Sequence, residues 1–250
     1  MAKHDVIDRK RRKFLSAAGG AAAILVASPQ LVLAADAPGG APIKIGTIGS
    51  GRIGGTLGAL WVQRGHPVMF SSRHPEKLKE MVDGLGPLAR AGTVDEAIAF
   101  ADVVLIAVPY RAMPQIGKEY SAALAKKKLV LDATNPIPRR DGEMAEAALK
   151  KGAGAASAEM LPGVRIVRAF NAIGSGQLPE IAEGPAGAVG MPIAGDDPDA
   201  IALASKLIRE LGMEPVVIGP LVMGKHLVPR MPLGGVHTPD ELRQIAATLN

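Results

Sequence analysis

Gly49, Gly51 and Gly54 are the first residues whose types and spacing could do chemistry. They follow an apolar run at 43–48, read G-x-G-x-x-G, and open a helical pattern over 53–64 that Gly65 ends. The first glycine permits a tight turn, the second lets backbone approach a pyrophosphate, and the third lets helix pack close on strand. A helix N-terminus placed there presents free N–H groups and partial positive charge to phosphate. Glycine spacing alone is a weak signal; its place after a strand and before a helix, within a βαβ unit, makes it a dinucleotide site. Ser50, Arg52 and Ile53 fill the loop between the glycines.

The end of the next strand, predicted at 67–71, selects the nucleotide. A carboxylate there would accept from a ribose 2′-OH. This chain has Ser71, Ser72 and Arg73 instead, and no carboxylate before Glu76. Hydroxyls and a guanidinium suit a 2′-phosphate, so the expected nucleotide is NADP(H). Arg52 reads equally as a second phosphate contact or as a solvated turn residue.

In an open α/β sheet, ligands lie beyond the carboxyl ends of the strands. That rule adds the segments 108–111, 134–136 and 171–176: Val108 and Pro109 on the nicotinamide ribose side, Thr134 and Asn135 after another strand, and Asn171 after Phe170. Asn135 reads equally as a polar contact or as the turn-former of an Asn-Pro pair. The run Gly174-Ser175-Gly176 is either a second phosphate cradle or a turn. No catalytic acid or base is expected: Tyr110 and Tyr120 both lack a Lys four residues on, and the five histidines lack ligand-spaced neighbours, so no metal is expected either. Direct hydride transfer between two bound cofactors needs neither.

The elements that must position these groups alternate. Apolar strand candidates lie at 43–48, 67–71, 102–108, 129–132, 164–170, 188–194 and 215–218. Helical stretches lie at about 75–83, 94–100, 112–125, 143–151, 198–211 and 239–249. Thr93 and Glu96 have capping-box spacing, and Asp197-Pro198 forms a cap and first turn. Such alternation predicts an α/β, Rossmann-type doubly wound, mostly parallel sheet with helices on both faces.

Composition excludes other classes. The 250 residues are 48% apolar and 21% charged, enough for a sizeable core. There is no cysteine, so no disulfide and no thiolate chemistry. Aromatics at 3% argue against stacking grooves for single-stranded nucleic acid. The net charge of +5 is concentrated in the first 35 residues, which carry +4, so the body gives no electrostatic reason to expect nucleic acid.

That basic start is read as an address. RKRRKFL is followed by an Ala/Gly-rich apolar stretch and by small residues around Ala35-Asp36-Ala37. This is the form of a secretory signal, and Arg11-Arg12 with Lys13, Phe14 and Leu15 resembles the twin-arginine signal. The expected organisation is a twin-arginine signal peptide at 1–37, an oxidoreductase domain at 43–228, and a C-terminal tail with a short helix at 229–250. The expected location is the periplasm or medium, reached through the twin-arginine machinery, with no stable membrane insertion. That route carries folded proteins, so such a passenger leaves with its cofactor inside.

Taken together, IGTIGSGRIG, the SSR turn, DATNP, RAFNAIG and GDDPDAIALASKLIRELGMEPVVIGPL resemble the NADP oxidoreductases dependent on the deazaflavin coenzyme F420. The resemblance covers about residues 43–228; the tail after Val228 falls outside it. It implies that Gly49, Ser50, Gly51, Arg52 and Ile53 hold the pyrophosphate, and Ser71, Ser72 and Arg73 the 2′-phosphate. It places Val108, Ala133 and Asn135 near the nicotinamide, and Asn171, Ala172 and Leu221 along the deazaflavin. It further implies a small-molecule redox partner, coenzyme F420 or a flavin, and often a homodimer. The expected activity is hydride transfer between NADPH and that acceptor. Two rival readings are a small imine or carbonyl reductase and a non-catalytic NADP-binding sensor or partner module. The first is disfavoured because 174–183 lacks the lysine that hydroxyacid dehydrogenases place after a glycine pair.

Overall fold

The computed structural model describes residues 41–249; the signal predicted at 1–37 lies outside them. In chain order the strands and helices are β1 (Ile45–Ile48), α1 (Arg52–Gln63), β2 (Val68–Ser71), α2 (Lys79–Leu85), β3 (Ala89–Gly92), α3 (Val94–Phe100) and β4 (Val103–Ile106). There follow α4 (Met113–Leu124), β5 (Leu129–Asp132), α5 (Pro138–Asp141), α6 (Glu143–Lys151), α7 (Ala153–Met160) and β6 (Ile166–Arg168). The chain closes with α8 (Leu178–Glu183), β7 (Val189–Gly195), α9 (Pro198–Glu210), β8 (Met213–Gly219) and α10 (Pro239–Ala247).

The strands form one sheet in the order β3-β2-β1-β4-β5-β6-β7-β8. Neighbours run parallel except β6 and β7, which pair antiparallel through Val167 with Gly195 and Arg168 with Ala194. The expected Rossmann-type sheet is therefore present. Its order reverses at β1, so β2 and β4 flank the strand that carries the glycine loop.

Period-two alternation sorts the strand side chains onto two faces. Val103, Leu105, Leu129 and Leu131 join one buried cluster with Leu57 and Trp61 of α1 and Leu207 and Ile208 of α9. Val104, Ile106 and Val130 join the other, with Ile98 of α3, Ile116 and Leu124 of α4, and Ala156 of α7. Burial on both faces explains why β4 and β5 read as unbroken apolar runs. Trp61 fastens two helices to one layer: its Nε1 donates to the Leu207 carbonyl at 3.3 Å, and its ring meets Phe170 edge-on at 6.0 Å. The capping box predicted at Thr93 and Glu96 opens α3, and Asp197 caps α9.

Three differences from the sequence reading have physical causes. The strand predicted over 164–170 is only Ile166–Arg168, because Phe170 takes a positive φ of 64° and turns the chain out of the sheet. β3 was not foreseen; its sequence, ARAG, is small and half-exposed at the sheet edge and carries no apolar pattern. α7 was also missed. Its sequence, AGAASAEM, has no apolar stripe, because its small residues serve close approach: a Cβ on Gly154 would stand 2.0 Å from the Leu221 carbonyl oxygen. The segment after Val228 packs on β7 and β8 through Leu233 and Leu242, and a second capping box, of Thr238 with Glu241, opens α10.

Candidate active site

The glycine loop is built from backbone constraints. Gly49 adopts φ 92°, and a Cβ there would stand 2.7 Å from the Ala107 carbonyl oxygen and from Val108 Cγ1. Gly54 packs its α carbon against the turn, where a Cβ would lie 2.0 Å from the Gly49 carbonyl oxygen. Gly51 differs: no heavy atom lies within 4 Å of where its Cβ would stand. It is the N-cap of α1, which has no side-chain cap and no acidic residue in its first turn. The result is an uncapped, positively polarised helix end beneath open space.

Side-chain hydroxyls tie this loop to β2. The Ser71 hydroxyl donates to the Thr47 carbonyl at 2.6 Å, and the Ser50 hydroxyl donates to the Ser71 carbonyl at 3.0 Å. The Ser72 hydroxyl accepts from the His74 amide at 3.1 Å. A cavity of about 610 Å³ opens above, within the range of small-ligand sites. Its walls bring together Gly49, Ser50, Gly51, Ser71, Ser72, Arg73, Val108 and Pro109, as the sequence reading expected of one site. Arg111 of the turn after β4, the last residue of the expected 108–111 segment, also lines it; Tyr120 of α4 lines it too and was not foreseen. Arg52 is exposed, and neither it, Ile53 nor Gly54 lines the cavity.

Ala133, Asn135, Asn171 and Ala172 form a second group at the ends of β5 and β6, outside the lining of that cavity. The Asn135 side-chain amide donates to the Asn171 carbonyl at 3.0 Å. The Asn171 side-chain amide donates to the Asp132 and Thr134 carbonyls at 3.1 and 2.9 Å. The positive φ of Phe170 aims Asn171 inward, a backbone cost of the kind that accumulates at functional sites. The Ala172 carbonyl accepts from the Gly235 amide at 2.9 Å, so the C-terminal segment reaches this end of the sheet. Leu221 is not brought to either group. It is buried in the cluster of Ile166 and Ala156, and its amide donates to Asp196. Gly174–Gly176 forms a turn closed by Gln177.

Beneath the asparagines lies a buried ion pair that sequence reasoning missed. Asp132 and Arg168 are register partners on β5 and β6, both wholly buried, and pair at 2.7 Å. Asp132 also accepts from the Thr134 amide and hydroxyl and from the Ser157 hydroxyl. Arg168 also donates to the Thr134 and Leu227 carbonyls. Residues 164–170 alternate basic and apolar side chains, and nothing in that pattern by itself marks Arg168 as buried. The usable signal was an arginine inside a strand whose parallel neighbour ends in aspartate. Tyr110 lies buried beside the pair, with the Ser157 hydroxyl next to its own. Burial, then the Asp132 charge, push that hydroxyl up to about 12 against the opposing pull of Arg168.

A third feature joins α5 to the cavity. Asp141 accepts from Arg140 Nε and Nη2 at 2.9 and 2.8 Å, from the Ile137 amide at 3.0 Å and from the Arg111 amide at 3.4 Å. Burial works to raise this carboxyl; the bonds from Arg140, Ile137 and Arg111 outweigh it and hold it below the ordinary value. Among the described residues, no group of three or more metal-ligating side chains occurs, and no helix is long and apolar enough to cross a membrane.

Residues 44–136 match the family described as NADP oxidoreductase, coenzyme F420-dependent. The chain is 28% identical over 198 residues to the rat metalloreductase STEAP3, covering 77% of this chain and 37% of that protein. It thus spans little more than a third of the curated relative. A hypothetical protein of Sinorhizobium meliloti superposes with a TM-score of 0.66 at 26% identity, covering 79% of this chain and 96% of that one. A putative F420-dependent NADP reductase of an Arthrobacter species superposes with a TM-score of 0.64 at 20% identity, covering 73% and 87%. The matched segment runs from β1 through Pro136 and contains the whole glycine-loop cavity. By fold and by that segment, the chain is related to NADP-dependent oxidoreductases.

Proposed function

We propose that this relative of the NADP-dependent oxidoreductases is exported by the twin-arginine route and passes hydride between NADPH and a planar acceptor, a deazaflavin such as coenzyme F420 or a flavin. The carrying observation is the wall of one cavity: an uncapped helix end behind Gly51, with Arg73 one strand away and no carboxylate at that strand end. The residues fit the nucleotide. The open space at Gly51 accepts a pyrophosphate, and Ser72 with Arg73 suits a 2′-phosphate through charge-assisted bonds.

Val108, with Ala133 and Asn135 beyond it, would border the nicotinamide half of a dinucleotide held at the glycine loop. Asn171 and Ala172 then border the acceptor. Bound NADPH supplies the hydride from nicotinamide C4; the acceptor gains two electrons, and solvent supplies the proton that completes a reduced flavin. The protein's task is to hold two rings at near-contact distance, which converts an encounter into a positioned transfer. No side-chain acid or base is needed, in keeping with a site edged by asparagine amides.

Two measurements test this reading. Arg73→Glu is expected to weaken NADPH binding about 100-fold, the worth of strong charge-assisted hydrogen bonds, while NADH binding moves little. Equal losses for both nucleotides would remove the cofactor assignment. Steady-state oxidation of NADPH with flavin or deazaflavin separates an enzyme from a sensor: tight nucleotide binding without turnover supports the sensor. Purifying the exported form and identifying what it releases on denaturation tests whether it leaves the cell loaded.

A further inference from the structure

Buried ion pairs are weak stabilisers: desolvation offsets most of their attraction, and apolar residues of similar volume serve about as well. Asp132 and Arg168 are nevertheless given room. A Cβ on Gly224 would stand 2.6 Å from Arg168 Cδ, and one on Gly154 3.3 Å from it. The pair grips one residue in particular. The Thr134 amide and hydroxyl both donate to Asp132 Oδ1, at 2.9 and 2.6 Å. The Thr134 carbonyl accepts from Arg168 Nη2 at 3.1 Å and from Asn171 Nδ2 at 2.9 Å. Every polar group of Thr134 is thus committed to the buried network.

The consequence falls on the next residue. A trans peptide is planar, so its C=O and N–H are directed oppositely, and no cis bond occurs among the described residues. The Thr134 carbonyl is drawn inward, which directs the Asn135 N–H out of the interior. The Asn135 carbonyl is itself held, by Arg140 Nη2 at 2.8 Å, and its side-chain amide is held by the Asn171 carbonyl. The amides of Ala133, Thr134 and Ile137 have acceptors, and Pro136 has no N–H. The Asn135 N–H is left as a fixed donor with no acceptor among the described residues. It stands where the nicotinamide half of the dinucleotide is placed, and that ring carries a carbonyl oxygen on its carboxamide.

We infer that Asp132 and Arg168 are positioning residues for the reaction: through Thr134 they aim the Asn135 N–H at the carboxamide oxygen of the nicotinamide, which fixes the rotation of the ring and so the face that gives up hydride. This rests on the hydride-transfer reading and adds to it how the ring is set. A buried pair with that role is retained for direction rather than for stability, and its loss shows in the nicotinamide half of the ligand before it shows in the adenosine half.

NADP+ and its thionicotinamide analogue differ by one atom, a weakly accepting sulfur in place of the carboxamide oxygen. The wild-type protein is expected to bind NADP+ about 5-fold more tightly, the net worth of one neutral hydrogen bond. The Asn135 amide resonance is expected to move on adding NADP+ and much less on adding the analogue. Equal affinities, or an amide resonance that NADP+ leaves in place, would overturn the inference. Asp132→Leu combined with Arg168→Met removes the pair without stranding a charge. This variant is expected to bring the ratio towards 1, while its affinity for 2′,5′-ADP, which has no nicotinamide, changes by no more than about 2-fold, as for a distant site. Arg168→Lys, which keeps a charge beside Asp132, is expected to keep part of the ratio. A ratio that survives the double replacement overturns the inference, and so does a parallel loss of both affinities, which would make the pair scaffold alone. The wild-type ratio and the amide resonance decide the matter should the double variant fail to fold. The hydride-transfer reading fails separately, through absent turnover with flavin or deazaflavin while NADP+ still binds and still moves Asn135.

Discussion

At the end of β1 the walls are backbone. Gly49, Gly51 and Gly54 remove side chains where they would collide or block, and the helix end supplies the charge. At the ends of β5 and β6 the walls are side chains: Asp132 and Arg168 meet in the interior and hold Thr134, Ser157 and Leu227, and two asparagine amides bridge above them. The first region recognises a ligand through groups every residue possesses, so it depends only on chain path. The second depends on particular functional groups meeting across 36 positions of sequence, so it depends on register. A backbone site fails when something is added; a side-chain network fails when something is taken away.

The largest expected effect breaks the second region. Asp132→Ala strands a buried guanidinium and should cost roughly 3–5 kcal/mol of stability, read as a lower denaturation midpoint. Replacing Asp132 and Arg168 together by apolar residues of similar volume should recover much of it; a double variant as unstable as the single one would show that the pair does more than balance charge. Adding to the first region should cost less stability but all of the binding. Gly54→Val drives side-chain carbons into the Gly49 carbonyl, an overpacking of roughly 1–3 kcal/mol, with NADPH binding lost while the protein remains folded in circular dichroism. Intact NADPH affinity in that variant would show that the loop does not hold the nucleotide.

The smallest expected effect sharpens the contrast. Tyr110 is raised from 10.0 to about 12 by burial, so the folded state favours the neutral phenol. Its contribution is full below pH 10 and is lost as pH rises through about 12. Tyr110→Phe removes a buried hydroxyl that lies beside that of Ser157 and should change stability by no more than about 1 kcal/mol at neutral pH. The variant should keep its melting temperature better than the wild type between pH 10 and 12. Parallel melting curves across that range would show that the hydroxyl is not shielded.

Legibility in the sequence followed the same divide. The nucleotide loop, the capping box at Thr93 and the apolar strands β4 and β5 were readable because each is set by neighbours within a few residues. The position of Arg111 after β4 was readable in the same way, but its bond to Asp141 was not, since that partner lies 30 residues further on. Leu221 carried a ligand-edge expectation from resemblance, yet packs with Ile166 because α7 brings Gly154 against its carbonyl. β3 and α7 lacked the apolar periodicity that marks an element from sequence alone; small residues placed them by close approach instead.

By itself the sequence determined where backbone had to be free of side chains and which strand end lacked a carboxylate. Those follow from local sterics and from residue type, and they point to a phosphorylated dinucleotide. Only the tertiary structure decided that Asp132 faces Arg168, that Asn171 turns inward behind a strained Phe170, and that one buried aspartate, Asp141, holds the Arg140 side chain and the Arg111 backbone amide. Pairings of that kind arise when separate strands settle into register, and a linear spacing does not encode the distance between residues that meet across a sheet.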